Sequence, residues 1–246
     1  MTARRTVSVI AVAFVVLTVA AGCAVEGHSA YAPESVDFAV ATAQAKEQSL
    51  EGSLFKDDQA VIGNDELQQV LSAKVALPDG ARVAVVRFGR RPYWWGWSDE
   101  FVRTTQQIDA DFLAKLRGCP RLSRVSYLPA LVTPPHMTIP HLRQAAARFQ
   151  ADLLLIYQTS SQSYSRTKIF TRDKTKAYCT VEAVLLDTRT GTIPWSMVAT
   201  RDFVAERTNA DVDFAETIAK AESAAIGKAW LEIADEAVTF LNALPR

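Results

Sequence analysis

Residues 153–157 read Leu-Leu-Leu-Ile-Tyr, five apolar side chains in succession between Asp152 and Gln158. A strand with one face in water alternates apolar and polar residues. An unbroken apolar run of this length predicts a central strand covered on both faces. Working outward, residues 82–88 (RVAVVRF) predict a second buried strand, entered from the turn signal Pro-Asp-Gly at 78–80.

Between these strands the period changes. Ser98 is a good helix N-cap, with Asp99 and Glu100 suited to the positive end of the helix dipole. Phe101, Ile108, Phe112 and Leu116 follow at helical spacing, and Gly118 can close the helix. Residues 121–128 predict another strand, and Pro129, Pro134 and Pro135 break the pattern after it. Thr138 can cap a second helix with Pro140 in its first turn and Leu142, Ala145, Ala146 and Phe149 on one face.

Downstream, residues 161–176 are polar and carry Arg166, Lys168, Arg172, Lys174 and Lys176 with Tyr164 and Phe170 interleaved. Such a run serves either as the solvated tip of a hairpin or as a contact for lipid headgroups or an acidic partner. Cys179, Val181, Ala183 and Leu185 then alternate with Thr180, Glu182, Val184 and Leu186. DTRTG at 187–191 predicts a hairpin connection with Gly191 in the left-handed region, and Ile193, Trp195, Met197 and Ala199 face one way on the return strand. Residues 211–244 predict a helix with Phe214, Ile218, Ile226, Trp230, Ile233, Ala237 and Leu241 as its stripe. Roughly 30 residues would span about 45 Å, more than the expected width of the domain. The helix is therefore expected to bend near Gly227 or to project beyond the sheet. The fold class is α/β (α+β): a mixed β-sheet with packed helices, and a C-terminal β-hairpin followed by a long helix.

The N-terminus has a different character. Arg4 and Arg5 precede an apolar run over residues 7–19, and Ala20, Ala21 and Gly22 lead to Cys23. That run is shorter than the roughly 20 residues of a membrane span, and no later segment approaches that length. Residues 17–23 (LTVAAGC) resemble the lipobox of a bacterial lipoprotein signal, with Ala20 where such signals usually carry Leu, Val or Ile. The resemblance implies cleavage before Cys23 and acylation there, and acyl chains contribute about 0.8 kcal/mol per buried methylene. An ordinary secretory leader cut after Gly22, or an uncleaved anchor, are the other readings. Ala24 follows the cysteine. Lipoproteins of this kind with Asp at that position are often retained at the inner membrane, so the resemblance implies the outer membrane facing the periplasm in a Gram-negative host. The expected organisation is a signal peptide at 1–22, a lipidated tether at 23–34, a helical prelude at 35–79 with Leu67, Val70 and Leu71 on one face, and an α/β envelope domain at 80–246.

Composition narrows the function. Arg4 and Arg5 are the only charges of the leader, so the remainder holds 25 basic against 27 acidic residues, a formal charge of −2. That balance argues against nucleic acid as a partner. About half the residues (49%) are hydrophobic, enough for one well-cored domain. With Cys23 acylated, Cys119 and Cys179 are left as a candidate disulfide or as two buried small hydrophobes. There is no G-x-S-x-G elbow, phosphate loop or C-x-x-C. His28 lies in the tether, and His136 and His141 are five apart without a nearby carboxylate or thiol, so neither a metal nor a cofactor is expected. Glu182 and Asp187 fall on opposite faces of a strand and read as solvated or turn residues.

The strongest local anomaly is Pro92-Tyr93-Trp94-Trp95-Gly96-Trp97, behind Arg90 and Arg91. Loops lie on surfaces and Trp, Tyr and Arg are the usual interface anchors. Tyr93, Trp94, Trp95 and Trp97 are therefore candidate interaction residues, unless they fold back over the edge of the core.

The strands at 81–88 and 151–159, and the hairpin EAVLLDTRTGTIPWS at 182–196, resemble envelope α/β lipoproteins related to the curli-secretion lipoprotein and to the N-terminal domain of the Tol–Pal translocation protein. The shared hairpin form is carried by Asp187, Thr188, Arg189, Thr190, Gly191 and Trp195. With the lipobox and the long terminal helix, the chain also resembles the rhombotarget lipoproteins. The resemblance implies a membrane-anchored envelope domain, with rings and filaments among its relatives, and the missing catalytic residues point to a non-enzymatic one. The expected function is docking of a protein partner in envelope assembly or maintenance. The alternative is a binding module for a small molecule, glycan or lipid that uses the aromatic loop. A hydrolase with a non-standard site is the third class, and few titratable groups converge to support it.

Overall fold

A computed structural model of the chain describes residue 54 and residues 63–88, 98–168 and 171–245. The chain divides into units of residues 1–30 and 31–246, and the described residues belong to the second. Their elements run α1 (Asn64–Ser72), β1 (Ala81–Arg87), α2 (Asp99–Arg117), β2 (Leu122–Tyr127), α3 (Ile139–Arg148), β3 (Leu153–Lys168), β4 (Thr171–Asp187), β5 (Trp195–Glu206) and α4 (Phe214–Ala243). Five strands form one sheet in the order β2-β1-β3-β4-β5. β1 runs parallel to β2 and β3, whereas β3, β4 and β5 are successively antiparallel. The fold is therefore a mixed sheet with packed helices, an antiparallel hairpin and a long terminal helix.

The run at 153–157 sits in β3 between β1 and β4, and its two sides enter different cores. Leu153, Leu155 and Tyr157 join Val83, Val85, Phe112, Leu116, Trp230 and Ile233 beneath α2 and α4. Leu154 and Ile156 join Ala84, Val86, Leu142, Ala145 and Ala146 beneath α3. Each of these leucines is essentially inaccessible, and truncating one to alanine would cost about 2–5 kcal/mol.

The polar stretch at 161–176 is not a loop. β3 and β4 continue through it in antiparallel register as far as Lys168↔Thr171. At about 3.3 Å per residue, a strand of 17 residues reaches about 56 Å, longer than α4. That length resolves the expected misfit of the terminal helix. Its 30 residues form one continuous element, with buried positions from Glu216 to Leu241. The helix does not break at Gly227; α2 comes close there, and a Cβ would stand 3.0 Å from Ile108 Cγ2.

The prelude yields one described helix, α1, whose Leu67 and Leu71 are exposed at 39% and 70%. Its apolar stripe therefore faces away from the core. Arg121 closes the far end of α4, donating to Leu241 O at 3.1 Å and Pro245 O at 3.2 Å, and to Leu77 O at 3.2 Å. Carbonyls left over at a helix end need such donors.

Both edge strands are blocked by basic side chains. Arg117 Nε donates to Val125 O of β2 at 3.1 Å. On β5, Arg201 donates to Thr200 O at 2.7 Å and Lys228 to Asp202 O at 3.2 Å. Charged donors on outer carbonyls deter pairing with another chain.

Candidate functional site

The crossovers decide where a site can form. After β1 the chain passes to α2 on the α4 side of the sheet. After β2 it passes to α3 on the other side. Connections that leave adjacent parallel strands toward opposite faces open a crevice at the carboxyl ends, where open α/β sheets usually take ligands. β3 and β5 point the same way as β1. One end of the sheet thus gathers the exit of β1, the Pro-rich segment after β2, the β3–β4 hairpin and the start of α4.

The two residues that flank the aromatic segment of the sequence, Phe88 and Ser98, belong to this end. Tyr93, Trp94, Trp95 and Trp97 lie outside the described residues, as does Cys23, but both flanks are described. On one flank, Phe88 N donates to Tyr157 O at 2.6 Å and its ring packs against the core under α3. On the other, Ser98 caps α2 by accepting from Phe101 N at 3.2 Å. Ser98 also binds the first turn of α4: its hydroxyl donates to Glu216 Oε1, and its N–H donates to Glu216 Oε2 at 3.3 Å.

Glu216 is one member of a buried charged cluster that the sequence reading did not find. Its carboxylate also accepts from Val212 N at 3.1 Å. Lys220 lies 3.3 Å from Glu216 and 2.7 Å from Asp211. Asp211 in turn accepts from Thr217 Oγ1 at 2.6 Å, Thr208 Oγ1 at 2.8 Å and Thr208 N at 3.1 Å. Burial pushes the Asp211 carboxyl up, but Lys220, Thr217 and Thr208 outweigh it and hold it well below the usual range. Glu216 behaves alike: burial raises it, while Ser98, Val212 N and Lys220 bring it below its ordinary value. Burial lowers Lys220, and its two carboxylates more than reverse this. The cluster is thus fully ionised at neutral pH, and each of its charges is held by partners. The signals for it were the half capping box Asp213-x-x-Glu216, in which Asp213 accepts from Glu216 N at 2.9 Å, and the Glu216–Lys220 spacing of four.

Four other titratable groups are also held by partners. Tyr127 donates to Asp109 Oδ1 at 3.2 Å, and burial, followed by Tyr157 and Asp109, raises its phenol far above the ordinary value. Asp187 is buried within its turn and accepts from Arg189 N at 2.8 Å. Glu182 accepts from Gln158 at 2.6 Å. His141 Nδ1 pairs with Thr138 Oγ1 at 2.8 Å, so the Thr138 hydroxyl does not cap α3.

Cys119 and Cys179 are free and buried, and the candidate disulfide is not made. Cys119 belongs to the core under α2 and α4, and Cys179 to a separate cluster with Ala177, Ala221 and Ala225. Burial, with Glu222 behind it, raises the Cys179 thiol far above its ordinary value, which makes it unreactive. Within the basic stretch, Lys174 and Lys176 pair with Glu206 and Asp202 of β5 at 3.1 and 3.2 Å. Those two lysines are therefore partly neutralised across the sheet.

No family model matches this chain, and no curated protein matches it. Several solved structures are similar in outline. One is the PelC dodecamer from Paraburkholderia phytofirmans, at 16% identity over 65% of this chain and 91% of that one, with a TM-score of 0.32. Lipoprotein GNA1162 from Neisseria meningitidis is 16% identical over 52% and 87%, with a TM-score of 0.32. A minor lipoprotein from Acinetobacter baumannii is 9% identical over 68% and 97%, with a TM-score of 0.33. At these values the likeness has no bearing on activity.

Proposed function

We propose that this chain is an envelope lipoprotein held at the membrane through Cys23, whose non-enzymatic domain docks a protein partner through the aromatic segment at the carboxyl end of the sheet. The observation that carries this reading is the tethering of that segment at both flanks. Phe88 is fixed to β3 and the α3 core, and Ser98 to α2 and α4. Docking rings on a rigid base loses less entropy on association than docking them on a loose one. The ionised groups next to Ser98 are held by structural partners, so they favour a scaffold over general acid–base chemistry.

The test is cross-linking in intact envelopes with wild type and a Trp94→Ala/Trp95→Ala variant, read by mass spectrometry beside the intact mass of the native chain. Acyl mass on Cys23 and a partner lost in the double variant support the reading. Equal partner recovery from both forms removes the aromatic segment, and an unmodified, soluble native protein removes the anchor.

A further inference from the structure

At the opposite end of the sheet lies a pocket of about 300 Å³, lined by Arg82, Gln150, Asp152, Thr188 and Arg189 among others. We propose that this pocket binds a phosphoryl group. It is formed by three separate segments: the start of β1, the residues that follow α3, and the turn between β4 and β5.

Four observations converge. First, two guanidinium groups share one carboxylate. Arg82 Nε and Arg189 Nη2 each stand 3.4 Å from a different oxygen of Asp152. Both distances exceed the roughly 2.7–2.9 Å of a tight charge-assisted bond, and Asp152 is the only acid in the lining among the described residues. A guanidinium has five N–H donors, so both retain donors for a second anion. Asp187 lies under the same turn, but its Oδ1 is engaged by the N–H groups of Arg189 and Thr190.

Second, Thr188 Oγ1 is buried without a hydrogen-bond partner. A buried hydroxyl left unpaired is costly and calls for an explanation. Third, Gln150 holds a left-handed backbone at φ +59°, a conformation that disfavours side chains other than Gly, Asn and Asp. Its side chain accepts from Arg82 Nη1 at 3.0 Å. The strained residue therefore orients one of the two guanidiniums. Fourth, the turn is fixed from below. Arg143 donates to Thr188 O at 3.1 Å and Arg189 O at 2.7 Å, and Gly191 at φ +77° lies where a Cβ would meet Arg143 Nη1 at 3.0 Å.

Two guanidinium forks from separate segments, Arg82 on β1 and Arg189 in the β4–β5 turn with the buried Thr188 hydroxyl beside it, suit a tetrahedral anion with several oxygens better than a planar carboxylate with two. The group could come from free phosphate or from the phosphodiester of a lipid headgroup, and soluble probes separate these sources.

The experiment is calorimetric titration of the full chain in non-ionic detergent with inorganic phosphate and, separately, with glycerophosphoglycerol, at constant ionic strength. Saturable binding is expected, weakened by about tenfold or more in Arg189→Glu, weakened in Thr188→Val, and unchanged in Lys174→Ala. Gln150→Gly should bind more weakly while melting at a higher temperature, an outcome that a purely structural glutamine would not give. Tighter binding of the diester assigns a lipid headgroup, and tighter binding of inorganic phosphate assigns a free phosphate. The Arg189 side chain is 72% exposed, so its replacement should leave the fold intact, and Thr188→Val provides an independent reading. Absence of saturation by either probe, or equal binding by Arg189→Glu and wild type, overturns the proposal.

Discussion

Glu216, in the first turn of α4, binds both the hydroxyl and the N–H of Ser98, the residue that caps α2. One carboxylate thus joins the starts of two helices that are 118 residues apart in sequence. Replacing Ser98 by alanine removes the cap and leaves Glu216 short of a donor. We expect a loss of about 1–3 kcal/mol in denaturant unfolding. Glu216→Gln should cost a similar amount, and the double variant should cost less than the two singles together. Strict additivity would mean that the two side chains act independently.

The same cluster sets the acid limb of stability. Asp211 and Glu216 have folded pKa values below their unfolded ones. Their contribution is therefore present above about pH 4 and lost as the pH falls further. Lys220 is raised, so its contribution is complete below about pH 10 and lost as the pH rises through its folded value. Asp211→Asn should flatten the acid limb of a stability–pH profile. A profile parallel to wild type below pH 4 would contradict this assignment.

Glu222 carries the opposite sign. Burial raises its carboxyl, and Ser163 and Ser161 only partly compensate. Its ionisation therefore costs stability above its unfolded pKa of about 4.3, and that cost is relieved as the pH falls. Glu222→Gln should raise the melting temperature at pH 7 and have no effect below pH 4. A lower melting temperature at pH 7 would show that the serines dominate.

The two core thiols should be silent in the native state. Cys119 and Cys179 are 1% and 0% exposed, so a thiol reagent at pH 8 should label neither until denaturant is added, and then both. Rapid labelling of the folded protein would contradict the packing at the α2–α4 and β4–α4 contacts.

The blocked β5 edge makes a separate prediction. Lys228→Ala frees the Asp202 carbonyl and also removes a cation 5.0 Å from the centre of the Phe203 ring. Monomer stability should change by less than about 1 kcal/mol, whereas light scattering on concentration should rise. Unchanged scattering would mean that Arg201 alone protects the edge.

Much of the fold was legible because apolar period and turn chemistry are local signals. The continuous run at 153–157 announced a doubly covered strand, Ser98 announced a helix start, and Gly191 its left-handed turn. Strand length was not legible. Residues 161–176 carry no apolar run to announce them, and pairing, which is non-local, makes them strand as far as Lys168↔Thr171. Without that length, α4 looked too long for its domain. The Asp211–Glu216–Lys220 cluster was hidden for a related reason: Ser98 and Glu216 meet only when two helices dock. The phosphoryl pocket draws on residues 82, 150, 152, 188 and 189, which no spacing rule connects.

By itself, then, the sequence determined the order and type of the elements and the two-sided burial of β3, because each follows from side-chain period and backbone preference within a few residues. Tertiary structure alone decided which groups meet. It kept the two cysteines in separate clusters, joined two buried carboxylates through Lys220 beside Ser98, placed Ser98 and the start of α4 at one end of the sheet, and left two arginines facing one aspartate at the other. Those pairings depend on crossover handedness, register and helix docking, which join residues about 40 to 120 positions apart.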